Sequence, residues 1–261
     1  MRKRRVKLVL MILFLLLAGG PAWVLITGQA TLRGDWNTAS RHPAGIAPDP
    51  AITREAVVQV YSARAFSWRG VLGVHTWIAT KPANAGGWTT YQVIGWNVMR
   101  GGKAVAVRQE EPDRHWFGNR PEIIADLRGD GVDQIIRDID RAANDYPYND
   151  DYTVWPGPNS NTFTAWVARE VPALGLDLPP TAVGKDWLGA TTFAARAPSG
   201  TGFQVSVYGL LGFTAAIEEG LELNLVGLTL GIDPLDLAVK LPGVGRLGPK
   251  WRAAAQTGDA S

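Results

Sequence analysis

A long apolar run near the N-terminus constrains this chain more than any other feature. Residues 8–28 contain no charged side chain, and five of the first seven positions before them are basic. As a helix, some twenty residues extend about 30 Å, which is the thickness of the hydrocarbon core of a bilayer. The sequence therefore predicts one N-terminal transmembrane helix within residues 1–30.

Two interpretations of this segment stay open. In the first it is an uncleaved anchor whose basic tip stays in the cytoplasm, which gives a single-pass inner-membrane protein with its body on the periplasmic side. In the second it is a signal peptide, cut after Ala22 or Ala30. The run exceeds the usual ~7–15 residues of a signal-peptide core, which favours the anchor. Pro21 and the two glycines before it interrupt the run and leave cleavage open.

The overall charge of +2 reflects the basic tip alone. Without the five basic residues of the tip, the chain has 21 basic and 24 acidic residues. Because phosphate contacts dominate nucleic-acid affinity, a nucleic-acid-binding domain needs a basic face. We therefore expect no nucleic-acid partner.

Few side chains of this chain could bind a metal ion through nitrogen or sulfur, and none could perform thiol chemistry. The chain has no cysteine and three histidines, which excludes disulfides, thiolate zinc sites, iron–sulfur clusters and a cysteine nucleophile. The acidic residues Glu110, Glu111 and Asp113 are interpreted as a solvated turn. We expect no metal site and no cofactor.

The rest of the chain divides into three parts. Residues 31–53 contain three prolines within eight positions and no apolar periodicity, which indicates a linker. Residues 54–248 are expected to form a single α+β domain, and residues 249–261 a flexible tail.

Within the domain, the patterns predict strands, then helices, then strands. Alternation in residues 56–64, 71–80, 88–98 and 103–109 predicts an antiparallel sheet. Residues 132–143 place their apolar side chains at helical spacing, and a second helical stripe runs from Phe163 to Val171, before Pro172. Further strands follow residue 185, and the change of phase at Val226–Gly227 is interpreted as a β-bulge. The fold class is therefore α+β, with an antiparallel sheet and packed helices that follow the transmembrane helix in the chain.

One group of residues could perform nucleophilic chemistry. Ser160 opens the second helix, where free backbone N–H groups and the helix dipole stabilise an anion. His75 lies in the second predicted strand and could act as its base, with Gln92 or Asn97 of the next strand orienting the ring. Asn159, Asn161 and Trp77 are the expected binding residues around them.

Structural explanations compete with this hypothesis. Ser160 could be only a helix N-cap, a position that favours Ser and Asn for hydrogen-bonding reasons. His75 could be a core histidine among aromatic side chains.

Asn159, Ser160 and Phe163 match the Asn-Cys-x-x-Phe motif of the circularly permuted papain-like superfamily, with Ser160 at the cysteine position. That superfamily includes cell-wall endopeptidase relatives and the lecithin–retinol acyltransferase group. The resemblance implies a permuted papain-like fold, with His75 on a strand beside the nucleophile helix. Serine in place of cysteine removes the thiolate, so Ser160 would need a well-aligned base.

The body also resembles the bacterial domain-of-unknown-function family 3750. The stretches that carry this resemblance are residues 56–70, 74–82, 156–170, 178–186 and 220–233. The resemblance implies a bacterial envelope protein and supplies no activity.

Two classes of function follow. One is a membrane-anchored envelope hydrolase or acyltransferase that acts on an amide or ester of peptidoglycan or lipid through Ser160 and His75. The other is a non-catalytic envelope module that binds a cell-wall or lipid ligand in a degenerate papain-like cleft. A structural partner of another membrane protein is a third option.

Overall fold

The N-terminal apolar helix is present in the computed structural model, which describes residues 2–30, 32 and 34–249. Helix α1 spans Arg2–Ile26 and continues through Pro21. It is long and apolar enough to cross a membrane, and most of its apolar side chains are not covered by protein.

The first sheet has five antiparallel strands in the order β4-β3-β2-β1-β5. Their bounds are β1 Val57–Arg64, β2 Val74–Lys81, β3 Thr89–Val93, β4 Val105–Gln109 and β5 Glu122–Arg128. The predicted antiparallel arrangement of the first four strands is confirmed.

Two features of this sheet differ from the prediction. The third strand is shorter than expected, because the chain turns into a short helix, α2 (Gly95–Met99). The placement of Asn97 on a strand is therefore wrong. Strand β5, which was not predicted, pairs with β1 at the sheet edge.

Two helices cover one face of the five-stranded sheet. They are α3 (Val132–Asn144) and α4 (Ser160–Glu170), close to the two predicted helical stripes. The main core lies between these helices and the sheet, and Phe163 is fully buried in it. Asn144 ends α3, and Pro172 follows α4, where a proline disfavours continuation of the helix.

The other face of the sheet is covered by irregular chain. Ile46 and Ala47, from the predicted linker, pack with Trp116 against Trp77. Their backbone N–H groups donate to the carboxylate of Asp113, which is 2% exposed. The interpretation of Asp113 as part of a solvated turn is therefore wrong, because its carboxylate ties two segments together.

A second sheet of seven strands follows as an antiparallel meander from β6 to β12. The bounds are β6 Ala194–Arg196, β7 Gly202–Val207, β8 Leu211–Ala216, β9 Gly220–Leu225, β10 Leu228–Asp233, β11 Ala238–Leu241 and β12 Gly245–Leu247. The predicted α+β class with antiparallel sheets is confirmed.

The interpretation of Val226–Gly227 as a β-bulge is wrong. These two residues form the turn of a hairpin, because Leu225 pairs with Leu228 directly across it. Both have positive φ, +54° and +79°, which is the backbone of a two-residue type I′ turn. Of the predicted tail, residues 250–261 lie outside the described residues.

Candidate functional site

The start of α4 is fixed by Asn159. Its Oδ1 accepts hydrogen bonds from the backbone N–H groups of Asn161 and Thr162, at 2.9 and 3.2 Å. The Thr162 hydroxyl accepts one in return from the Asn159 N–H, which completes a capping box. The N-cap is therefore Asn159, and Ser160 is the first helical residue.

Asn161 ties this helix end to strand β2. Its Oδ1 accepts a hydrogen bond from the Thr76 hydroxyl at 2.9 Å, and its Nδ2 donates to the Val74 carbonyl oxygen at 3.0 Å. Asn161 is 3% exposed, so its polar atoms serve internal contacts. Both asparagines predicted to bind ligand therefore fix the helix to its surroundings.

His75 lies on β2 with its ring buried. Its Nε2 is 3.1 Å from Oε1 of Gln92, and the ring stacks on Trp116 with centroids 3.6 Å apart. Burial lowers the pKa of His75 to about 4, although the hydrogen bond to Gln92 opposes this shift. The imidazole is therefore neutral at pH 7, and the amide oxygen of Gln92 selects the tautomer with hydrogen on Nε2.

Gln92 continues a chain of hydrogen bonds that the sequence did not reveal. Its Nε2 donates to Glu110 Oε1 at 3.2 Å, and the Thr90 hydroxyl donates to the same oxygen at 2.7 Å. Glu110 also pairs with Arg114 at 3.3 Å. Antiparallel pairing of β3 with β4 brings these residues together, and no spacing along the chain could indicate it.

Ser160 and His75 belong to different layers of the fold. Successive side chains of a strand point to opposite faces. Thr76 meets α4 through Asn161 and Thr164, whereas His75 stacks on Trp116 and lies beside Trp77 on the other face. No hydrogen bond joins Ser160 to His75 among the described residues. Their catalytic pairing stays a prediction.

Of the other two predicted site residues, Trp77 lies beside His75 and Asn97 lies elsewhere. Trp77 is a neighbour of His75, with ring centroids 5.6 Å apart, and its Nε1 donates to the Pro112 carbonyl oxygen. Asn97 lies in α2, where its carbonyl oxygen accepts backbone hydrogen bonds from Arg100 and Gly102.

A cavity of about 580 Å³ lies where the two sheets meet, beside the end of α1. Its lining comes from β1, β5, the loop around Pro180 and the β11–β12 hairpin, and Gln29 contributes from just after α1. The charged residues of the lining are Arg64, Arg120, Glu122, Asp177, Lys240 and Arg246.

Two buried polar atoms of this lining have no hydrogen-bond partner among the described residues. They are the hydroxyl oxygen of Ser62, a residue with no exposed surface, and Nε of Arg246, whose side chain is 9% exposed. Leaving such a group unpaired costs about 1–3 kcal/mol. Each atom has almost no accessible surface of its own, so an acceptor in the cavity would reach it only after the side chains around it move.

The cations of the lining fall into two groups. Lys240 is paired with Asp177 and Glu222, and Arg246 with Asp233 and Asp236. The other two, Arg64 and Arg120, form no ion pair within 4.0 Å with a described residue.

Among the described residues, Arg64 donates to neutral oxygens alone, those of Gly70, Gly243 and Gln29, at 2.8 to 3.1 Å. Burial lowers its pKa, and Coulomb attraction from Glu122 partly offsets that. The cavity therefore presents two arginines that form no ion pair with any carboxylate in the described part of the chain.

Local sequence patterns did not indicate this cavity. Ser62 and Arg64 were predicted as ordinary strand residues, and Arg120 and Arg246 are far apart along the chain. No group of three metal-ligating side chains occurs in the part of the chain that the structure describes.

The fold and the cavity define an α+β protein with an internal polar cavity and one N-terminal helix that is long and apolar enough to cross a membrane. A family described as protein of unknown function (DUF3750) matches residues 55–187, just over half of the chain. The chain belongs to this family. The match covers the five-stranded sheet and its helices, and the resembling stretch at residues 220–233 lies outside it. No curated protein and no solved structure matches the chain.

Proposed function

We propose that this protein is a membrane-anchored bacterial envelope protein that binds a phosphate-bearing group in the cavity between its sheets. The observation that carries this proposal is the combination, in one lining, of two arginines without ion pairs and two unpartnered buried donors. Guanidinium groups bind phosphate oxygens through strong charge-assisted hydrogen bonds, and a hydroxyl can supply a further donor.

The position of the cavity indicates where the ligand comes from. Gln29, three residues beyond the end of α1, lines it and accepts a hydrogen bond from Arg64. If α1 spans the inner membrane, Gln29 lies at the periplasmic surface of that membrane. Lipid headgroups and soluble phosphate esters both carry the required chemistry, and both could reach the cavity there.

The proposal is tested with full-length protein in nanodiscs. Arg120 is the best position to change, because its side chain is exposed and forms no ion pair within 4.0 Å with a described residue. We expect Arg120→Gln to weaken binding about tenfold, the effect of one charge-assisted hydrogen bond. Arg108→Gln is the matched control, because Arg108 is also exposed but lies on β4, at the opposite edge of the sheet.

Two measurements distinguish a soluble phosphate compound from a lipid headgroup as the ligand. Calorimetry with inorganic phosphate and glycerol phosphate tests a soluble group, and native mass spectrometry in phosphatidylglycerol nanodiscs tests a bound lipid. Equal behaviour of Arg120→Gln and Arg108→Gln in both arms would contradict the proposal.

The second candidate is the hydrolase or acyltransferase centred on Ser160. It is favoured by the place of Ser160 in the first turn of α4, where the helix dipole stabilises an oxyanion, and by the resemblance to the permuted papain-like arrangement. Against it stands the position of His75 on the other face of the sheet. Labelling with a fluorophosphonate probe, lost in Ser160→Ala and kept in Ser199→Ala, would support it.

A further inference from the structure

The seven-stranded sheet reverses the usual distribution of side chains, in which apolar residues face inward and polar residues face the solvent. Its inward side chains are polar and buried, and they include Gln204, Ser206, Thr214, Glu222, Asn224 and Lys240. These side chains form hydrogen bonds and ion pairs in the interior, such as the 2.8 Å contact of Lys240 with Glu222.

The outward side chains of the same strands are apolar and exposed. Among them are Phe203, Val205, Val207, Phe213, Leu221 and Leu223, each between 39% and 54% exposed. The register aligns them across strands: Val205 lies opposite Phe213, which lies opposite Leu223. They therefore form continuous apolar rows.

Such a face is unusual in water. Soluble monomers rarely expose a large continuous apolar patch, and a flat apolar sheet promotes aggregation. Arg196, in strand β6, is the one charged residue in the outward positions of the described strands, and it lies in the edge strand. The face therefore needs a covering partner.

Helix α1 indicates what that partner is. It packs against β10 and β11 and the turn that follows β11. A Cβ at Gly20 would overlap the carbonyl oxygen of Pro242, so the backbones approach closely there. Val24, one turn further, is fully buried. The apolar face of the seven-stranded sheet therefore begins beside the C-terminal third of α1.

We propose that the outer face of the seven-stranded sheet lies on the lipid bilayer, with its apolar rows at the boundary between headgroups and acyl chains. This rests on the part of the proposed function that places α1 across the membrane. The sheet then acts as a second, interfacial membrane contact, comparable to the apolar face of an amphipathic helix lying in the interface. Its polar face remains turned to the protein interior.

The absence of cysteine makes a direct test practical. Single-cysteine variants of the full-length chain, at Phe213 and Leu223 on the sheet and at Leu15 in α1, are spin-labelled in phosphatidylglycerol-containing vesicles. Met99→Cys is the control, because Met99 is 81% exposed and lies in α2, which follows β3 of the five-stranded sheet. Collision rates with oxygen and with a water-soluble nickel chelate report whether each label lies in lipid or water.

We expect Phe213→Cys and Leu223→Cys to show at least a fivefold higher oxygen-to-nickel ratio than Met99→Cys. A ratio equal to that of Met99→Cys would overturn the proposal, even when Leu15→Cys reports lipid and the anchor is intact. Spin–spin broadening at Phe213→Cys that disappears on dilution with unlabelled protein, with no rise in the oxygen ratio, would show a second copy on this face and would also overturn it.

Discussion

Lys185 donates a hydrogen bond from Nζ to Glu222 Oε2 at 2.6 Å, and both side chains are almost completely buried. The other oxygen of Glu222 accepts from Lys240 at 2.8 Å, so one carboxylate joins the loop before β6, which carries Lys185, to strands β9 and β11 of the seven-stranded sheet. Burial alone would lower the pKa of Lys185, but the charges of Asp186 and Glu222 raise it further than burial lowers it. Both lysines are therefore held charged in the interior.

We expect Glu222→Gln to lower the free energy of unfolding by roughly 3–5 kcal/mol, because it leaves two buried ammonium groups short of a carboxylate. Asp150→Asn is the control, since the Lys103–Asp150 pair is mostly exposed and should contribute less than about 1 kcal/mol. Denaturant unfolding of the detergent-solubilised protein, followed by tryptophan fluorescence, measures both. Similar losses in the two variants would show that the buried pair is not a stabilising link.

Acidification should destabilise the fold through His75. Its pKa is about 4 in the folded protein and about 6.5 when unfolded, so below pH 6.5 the unfolded state binds more protons. Above pH 6.5 the ring is neutral in both states, and its full contribution to the free energy of unfolding is present. As the pH falls from 6.5 towards 4, the free energy of unfolding decreases by about 3 kcal/mol in total. Unfolding measured between pH 7.5 and 4 should show this slope.

His75→Gln removes the titrating ring and should flatten the dependence in that window. His42→Gln, at an exposed position, should leave it unchanged. An identical slope in wild type and His75→Gln would assign the acid sensitivity to other groups.

The cap of α4 should contribute far more to stability than Ser160. Asn159→Ala removes two accepted hydrogen bonds and the donations from Nδ2 to the Val154 and Val183 carbonyl oxygens. A lost cap costs about 0.5–2 kcal/mol, and the loss of the hydrogen bond to the Val154 carbonyl oxygen adds to that, whereas the Val183 oxygen keeps the one from Asn161 Nδ2. Ser160→Ala should change stability by less than about 1 kcal/mol. Thermal unfolding of the two variants side by side checks this, and a greater loss in Ser160→Ala would contradict the assignment of the cap.

The hairpin between β9 and β10 can be stabilised by one substitution. Val226 is β-branched and has a φ of +54°, a conformation that costs such residues about 1–3 kcal/mol. Asparagine is favoured before glycine in a type I′ turn, so Val226→Asn should raise stability by about 1 kcal/mol. Gly227→Ala should lower it, because the added Cβ would lie 2.6 Å from Trp155 Nε1. A destabilised Val226→Asn would refute this account of the turn.

Topology is tested by reporters fused after Ser261. With the basic tip in the cytoplasm, a phosphatase that is active only outside the cytoplasm should be active, and a fluorescent protein that matures only inside should stay dark. The opposite pattern would place the body in the cytoplasm.

Local patterns in the sequence predicted much of the fold. The uncharged run at residues 8–28 determines an apolar helix, since few other structures satisfy so long an apolar backbone segment. Alternation predicted β1 and β2, and helical spacing predicted α3. Each of these depends on neighbours within a few positions, and such information is present in the chain itself.

Only the tertiary structure decided which face of each element is buried. A period of two marks a strand but does not say which set of side chains faces inward. His75 and Thr76 are neighbours in sequence, yet sheet pairing and α4 place them on opposite sides. In the second sheet the leucines and phenylalanines face outward, and Lys185, Glu222 and Lys240 form ion pairs inside with one another and with Asp177 and Asp186. Only long-range packing brings those charges together.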